Sequence, residues 1–294
     1  MSYAFFPGCD VPRKGTPELY VSAVGLCQKL GIELEELEYA PCTGSGMIQS
    51  KDQALGDTFN ASTLAMAELT EKPLMTICST CQGVIGQANA RFKEDPDYLS
   101  EINKTLQGGG LEYKGTTEVK HLLWVLTEDF GLDRLRGMVV RPLKGLRIAP
   151  FYGCYLLRPS AILGYAENPS RASALEDLIE ALGGTAVDFR GKKLCCGYPI
   201  VSDNERNANA MIANHTLEAK EKGADVMVTP CPLCHMNLDG AQPAAADQKG
   251  TRIGLPVLHL SQMVGLAVGM DVSGLGFERH AVSTRDVLAK VGAS

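Results

Sequence analysis

No stretch of this 294-residue sequence approaches the roughly 18 consecutive apolar residues of a membrane span. Its first residues, Met-Ser-Tyr-Ala-Phe-Phe-Pro-Gly-Cys, also lack the basic segment and long apolar run of a secretory leader. A soluble, cytoplasmic protein with no membrane span of its own is expected. Excess basic charge is missing too, since 28 lysines and arginines stand against 34 aspartates and glutamates, a net charge of −6. Surfaces that bind nucleic acid are usually basic, so no nucleic-acid partner is expected. The run Gly108-Gly109-Gly110 has neither a following Lys-Ser nor a GxGxxG frame, which removes the common phosphate-binding loops. No hydrolase motif assembles the serines, histidines and acidic residues.

What the chain does have is 45% apolar residues, enough for sizeable cores, and ten cysteines. In a reducing cytoplasm, thiols set in a pattern point to metal and not to disulfides. Cys27 lies alone in an apolar helical stretch and reads as a buried structural thiol. The other nine share one arrangement, and the elements around them show it.

An apolar strand, Tyr3 to Phe6, stops at Pro7-Gly8 and delivers Cys9 into a loop. A helix over about 17–30, an acidic strand over 33–38 and the element Cys42-Thr43-Gly44 follow. A helix over about 52–69 and a strand over 73–77 then lead to Cys78 and Cys81. That pair sits where a strand end meets a helix N-terminus, whose free amides favour a thiolate. The polar stretch 92–120 reads as insertion more than core, and Val119-Lys120-His121-Leu122 as the opening of a helix reaching about 130.

The second half repeats the plan: a strand over 147–152, Cys154, a helix within 170–182, a short strand near 186–189 and Cys195-Cys196-Gly197. A helix over 204–222 and a strand over 224–229 lead to Cys231 and Cys234. Segment 241–256 reads as a linker before Val257-Leu258-His259-Leu260 and a last apolar helix, and no chemistry is legible in the tail. In each half 33 residues separate the glycine from the CxxC pair, while 32 separate Cys9 from Cys42 and 40 separate Cys154 from Cys195. Matches at so many positions indicate duplication. The expected fold is α/β, two duplicated domains at 1–145 and 146–270 with a tail at 271–294. Each domain is a parallel sheet flanked by helices, with cysteines on loops at the strand C-terminal ends, where such sheets gather ligands.

Zinc is satisfied by four ligands around one small ion, and an adjacent Cys195-Cys196 pair with a fifth thiol suits it poorly. A multi-iron cluster offers several metal atoms, so iron-sulfur is expected. His121 and His259 recur at matched places, where helix capping is the simplest reading. His235, directly after Cys234, is either a donor to a sulfur at the site or a packed histidine.

These motifs, together with Phe5-Phe6-Pro7-Gly8-Cys9, Cys154-Tyr155-Leu156-Leu157-Arg158-Pro159 and Cys231-Pro232-Leu233-Cys234-His235, resemble the CCG-domain family. Its best-known member is the catalytic B subunit of heterodisulfide reductase, with counterparts in bacterial sulfur-oxidising complexes. The resemblance implies a noncubane 4Fe-4S cluster on Cys154, Cys195, Cys196, Cys231 and Cys234, at which a disulfide is reduced or a thiol oxidised. Thr43 departs from the pattern by standing where the second cysteine of the first half would be. Cys9, Cys42, Cys78 and Cys81 are therefore expected to hold a second iron-sulfur cluster, either a cubane 4Fe-4S or an altered noncubane. The family also implies a multi-subunit complex with a ferredoxin-like iron-sulfur subunit and an FAD-containing subunit, and a thiol or disulfide substrate, free or carrier-bound. The alternative is an electron-relay subunit of a succinate, fumarate, lactate or glycolate oxidoreductase.

Overall fold

A computed structural model describes residues 1–8 and 15–293. Cys9, expected at the end of the first strand, lies outside the described residues.

The described residues form two four-stranded parallel sheets. The first comprises β1 (Ser2–Phe6), β2 (Glu33–Glu36), β3 (Leu74–Thr76) and β4 (Val119–His121), in the order β2-β1-β3-β4. The second comprises β5 (Arg147–Pro150), β6 (Thr185–Ala186), β7 (Val226–Thr229) and β8 (Val257–His259), in the order β6-β5-β7-β8. The registers correspond, with Ala4 opposite Leu74 in one sheet and Ala149 opposite Met227 in the other. The α/β duplication is thus present. In each sheet the order reverses beside the first strand, and ligand crevices form at such a point, outside the strand C-terminal ends.

The sequence accounts for these elements locally. Leu74–Thr76 and Val226–Thr229 are buried along their whole length, as central parallel strands covered on both faces must be. Glu33–Glu36 alternates exposed and half-buried, which an acidic edge strand can do. Pro17 pre-sets the first turn of the Pro17–Leu30 helix. Asp52 caps the Gln53–Leu69 helix by accepting from Leu55 N–H at 2.9 Å.

Alternation along the strands decides how the two halves pack. Tyr3 and Phe5 join one buried cluster with Met75, Ile148 and Val228, whereas Ala4 and Phe6 join another with Leu74, Ala149 and Met227. Both clusters draw on both halves. The Ser79–Glu94 helix of the first half comes so close to the second that a Cβ on Gly83 would lie 2.6 Å from the Tyr155 carbonyl oxygen and 2.7 Å from its ring. Gly83→Ala gains about 1 kcal/mol of helix propensity but forces a backbone shift costing roughly 1–3 kcal/mol. A lowered urea midpoint is the expected result, and a raised one would refute this close approach.

Four expectations are corrected. Stretch 92–120 is core as well as insertion: Phe92, Ile102, Leu106 and Tyr113 are buried, and the Pro96–Leu106 helix packs on Gln53–Leu69. Segment 241–256 carries a helix, Gln242–Lys249, which packs against the Glu205–Glu221 helix. Val119–His121, expected to open a helix, is strand β4. The tail, in which no chemistry was legible, packs into the core. Leu275, Phe277 and Val287 are buried, and Arg279 Nε donates to Glu18 at 2.8 Å.

Candidate metal centre

Seven thiols form a continuous chain among the described residues. Cys154 meets Cys195, Cys195 meets Cys196, Cys196 meets Cys234, Cys234 meets Cys231, and Cys231 meets Cys78, which in turn meets Cys81. The five thiols expected at the second site are brought together. The link to the first half was not legible in the spacing: Cys78 Sγ and Cys231 Sγ are 3.8 Å apart, so the two CxxC elements face each other. Cys78 and Cys231 each follow a central strand and each cap a helix N-terminus. Cys42 is exposed, Cys154 and Cys195 are partly exposed, and the other five of the expected ligands described are buried.

Gly44 and Gly197 show why a glycine closes each motif. Both have positive φ, 82° and 92°, which aims the backbone N–H of each at the sulfur two residues back, 3.4 Å away on Cys42 and Cys195. Polar side chains then hold the motif carbonyls. His215 bonds to the Cys195 carbonyl at 2.9 Å and Asn237 donates to the Cys196 carbonyl at 2.8 Å. In the first half Gln49 donates to the Thr43 carbonyl at 2.7 Å. Thr43 is buried, with its hydroxyl 3.8 Å from Cys81 Sγ.

The thiols compete for protons. Hydrogen bonds from Cys154 and Cys196 pull Cys195 well below the usual thiol range, helped by Gly197 N–H. Cys154 and Cys196 are pushed up in return by Cys195. Burial raises Cys231, but hydrogen bonds from Cys234 and Cys78 outweigh it and hold Cys231 well below. Cys78 is pushed up by Cys231, and Cys234 by Cys196 and Cys231. Ligating thiolates must be deprotonated, and a cation shared by all of them ends this competition. An all-sulfur donor set, partly buried and backed by peptide N–H groups, fits an iron-sulfur cluster. Lone Cys27 differs: burial alone pushes it up to about 12, with no thiol partner among the described residues.

The two repeated histidines do more than cap. His121 Nδ1 accepts from Leu123 N–H at 3.0 Å, and its Nε2 reaches across to the Pro230 carbonyl at 2.9 Å. His259 Nδ1 accepts from Ser261 N–H at 3.3 Å, and its Nε2 reaches the Ile77 carbonyl at 3.1 Å. Each histidine therefore holds the residue just before the other half's CxxC. One nitrogen faces a donor and the other an acceptor, so the neutral Nε2–H tautomer satisfies both.

His235 is placed differently from the donor role considered for it. Its ring stands edge-on to His280, with centroids 4.8 Å apart, and both of its buried nitrogens lack a hydrogen-bond partner. It does not line the cavity beside the thiols. That cavity is bordered by Cys154, Cys196, Cys231 and Cys234, with Met47, Tyr155, Tyr198 and Leu233 supplying apolar walls. Met47 had no motif to mark it, and Tyr155 stood in the Cys154–Pro159 motif without a role assigned to it. Arg158 serves loop structure by donating to the Lys193 carbonyl.

Fold and site together define a duplicated α/β protein with clustered thiols at its strand ends. The cysteine-rich CCG domain matches residues 3–86 and 148–239, and the chain belongs to that family. It is 38% identical over 280 residues to the 8-methylmenaquinol:fumarate reductase membrane anchor subunit of Wolinella succinogenes, covering 95% of this chain and 96% of the relative. It is 34% identical over 294 residues to the B subunit of the ferredoxin/F420H2-dependent CoB-CoM heterodisulfide reductase of Methanosarcina acetivorans, covering 98% and 96%. A protein of Archaeoglobus profundus that is itself like the B subunit of heterodisulfide reductase is 30% identical over 297 residues, covering 99% and 97%. In fold, the chain is similar to a hypothetical protein from Helicobacter pylori, with a TM-score of 0.76 at 17% identity. That match covers 96% of this chain and 52% of the other. Among the described residues no helix is long and apolar enough to cross a membrane.

Proposed function

We propose that this chain is an iron-sulfur subunit of a cytoplasmic reductase complex that reduces a disulfide or oxidises a thiol at its second thiol site. Cys154, Cys195, Cys196, Cys231 and Cys234 would hold a noncubane 4Fe-4S cluster. Cys9, Cys42, Cys78 and Cys81 would hold the second cluster, cubane or altered noncubane. The observation that carries the reading is the partial exposure of Cys154 and Cys195, which leaves one edge of the second site open to a sulfur compound, an access that an electron relay does not need. When bound, such a cluster supplies iron that can accept a sulfur ligand and a store for a single electron. The chain's own groups do the rest. Met47, Tyr198 and Leu233 keep the cavity apolar, while His215 and Asn237 fix the Cys195-Cys196 backbone. The contact between Cys78 and Cys231 gives electrons a short passage between the two sites.

A ferredoxin-like iron-sulfur subunit and an FAD-containing subunit are the proposed partners, with a free or carrier-bound thiol or disulfide as substrate. A second reading, electron relay in a fumarate reductase-type complex, is favoured by Thr43, which leaves the two sites unequal, and by the similarity to the Wolinella protein. Titrating small thiols and disulfides into the anaerobic, cluster-loaded protein separates the two. The expected result is a changed EPR signal from the second site. A signal that no thiol or disulfide alters would leave only the relay.

A further inference from the structure

Behind the thiol site lies a second group of ligating side chains. His235, Asp239 and His280 each offer one ligand atom, and the three atoms lie within 4.8 Å of one another. His235 and Asp239 are four residues apart on the turns that follow the CxxC, so both point to one side. His280 comes from the tail, whose backbone is tied to the same carboxylate: Ala281 N–H donates to Asp239 Oδ2 at 2.6 Å and Val282 N–H to Oδ1 at 3.3 Å. Two such bonds leave lone pairs on both carboxylate oxygens.

The polar atoms facing this space are unsatisfied. His235 is 3% exposed, and neither of its ring nitrogens makes a hydrogen bond; His280 Nδ1 makes none either. The Val257 carbonyl lies near enough to both rings to influence their titration, yet it makes no geometric hydrogen bond with either nitrogen of His235. A buried imidazole with two idle nitrogens is costly and calls for a partner. At the matching places of the first half stand Gln82 and Gly86, so the group is a feature of the second half and its tail alone.

We propose that His235, Asp239 and His280 bind a zinc-type divalent ion that staples the tail to the second CCG domain. Two imidazoles and one carboxylate suit zinc or a similar borderline ion, and not calcium or magnesium, which prefer oxygen throughout. Zinc imposes no geometry from its d electrons, which suits three side chains fixed by packing. Bonds of 2.0–2.1 Å place ligand atoms about 3.3 Å apart, so the side chains must close by about an ångström and a half. One competing contact yields. Gln262 Oε1 accepts from His259 N–H at 2.9 Å, which orients the amide so that its nitrogen donates to His280 Nε2 at 2.9 Å. That leaves Nδ1 of His280 carrying the proton. Ion binding at Nδ1 moves that proton to Nε2, so the ring stays neutral, and Nε2–H then opposes the Gln262 Nε2–H donor and breaks that contact, one hydrogen bond lost against the zinc ligation gained.

The test uses the anaerobic, cluster-loaded protein given one equivalent of zinc and then desalted. Wild type is expected to retain about one zinc, with a zinc-edge absorption spectrum showing only nitrogen and oxygen neighbours at 2.0–2.1 Å. His280→Gln and Asp239→Asn should each lower retained zinc at least tenfold with no change in iron, the iron count reporting that the variant has folded. Failure of wild type to retain zinc overturns the proposal, as does equal retention by both variants. Sulfur neighbours near 2.3 Å also overturn it, because the zinc would then sit on the cysteines. None of these outcomes depends on whether the second thiol site acts on sulfur compounds.

Discussion

Cys196→Ala is expected to lose the iron of the second site while keeping that of the first, with turnover falling by more than about 100-fold. Cys196 is the link between Cys195 and Cys234, and it is 4% exposed. Alanine there breaks the chain of thiols in the middle, and no described neighbour can supply another sulfur from that position. Iron and sulfide counts with EPR check the result, alongside Cys27→Ala, which should retain both clusters because Cys27 meets no other described thiol. An unchanged spectrum and activity in Cys196→Ala would remove the five-thiol site from the mechanism.

The second large effect is on stability and its pH dependence. His121 and His259 are fully buried, and each joins its own helix to the backbone of the opposite half. Replacing His259 with alanine leaves the Ile77 carbonyl and Ser261 N–H without this partner and opens a cavity, for an expected loss of roughly 2–4 kcal/mol. His121→Ala should cost somewhat less, because Ser79 Oγ also donates to the Pro230 carbonyl, at 3.3 Å. Burial holds His121 at about 3, with repulsion from His259 adding to it, and holds His259 at about 4. Unfolded, both return to an ordinary value of 6.5. Between pH 6.5 and about 4 the unfolded chain therefore binds protons that the folded chain refuses. The stabilisation is complete above pH 6.5 and falls as the pH drops, by a few kcal/mol for each histidine across the window. Denaturant titrations of the loaded protein at pH 7.0 and 5.5 check this. His259→Ala should lessen the difference by its own share, since burial also holds down His121, His215, His235 and His280; an undiminished one would assign it wholly to other groups.

These expectations separate what was readable in the chain from what was not. Matched cysteine spacings, the strand before each loop and the long helices were legible, because local periodicity and turn residues encode them. Strand β4 reads from the sequence as a helix start, and β8 goes unassigned before the last helix, since three residues are too few to show a period of two. Polarity concealed the core role of 92–120, where Phe92, Ile102, Leu106 and Tyr113 are spread among charged residues. His280 could not be associated with His235 at all, 45 residues away and without a motif.

Spacing alone was enough to sort nine cysteines into two sets made unequal by Thr43 and to expect each set at the ends of parallel strands. Only the tertiary structure decided that the sets touch through Cys78 and Cys231, that each histidine holds the opposite half, and that the tail returns to Asp239. The physical reason is the range of the interactions. Spacing along the chain records hydrogen bonds and turns within one half, whereas contacts across the halves follow from how their alternating apolar faces pack together.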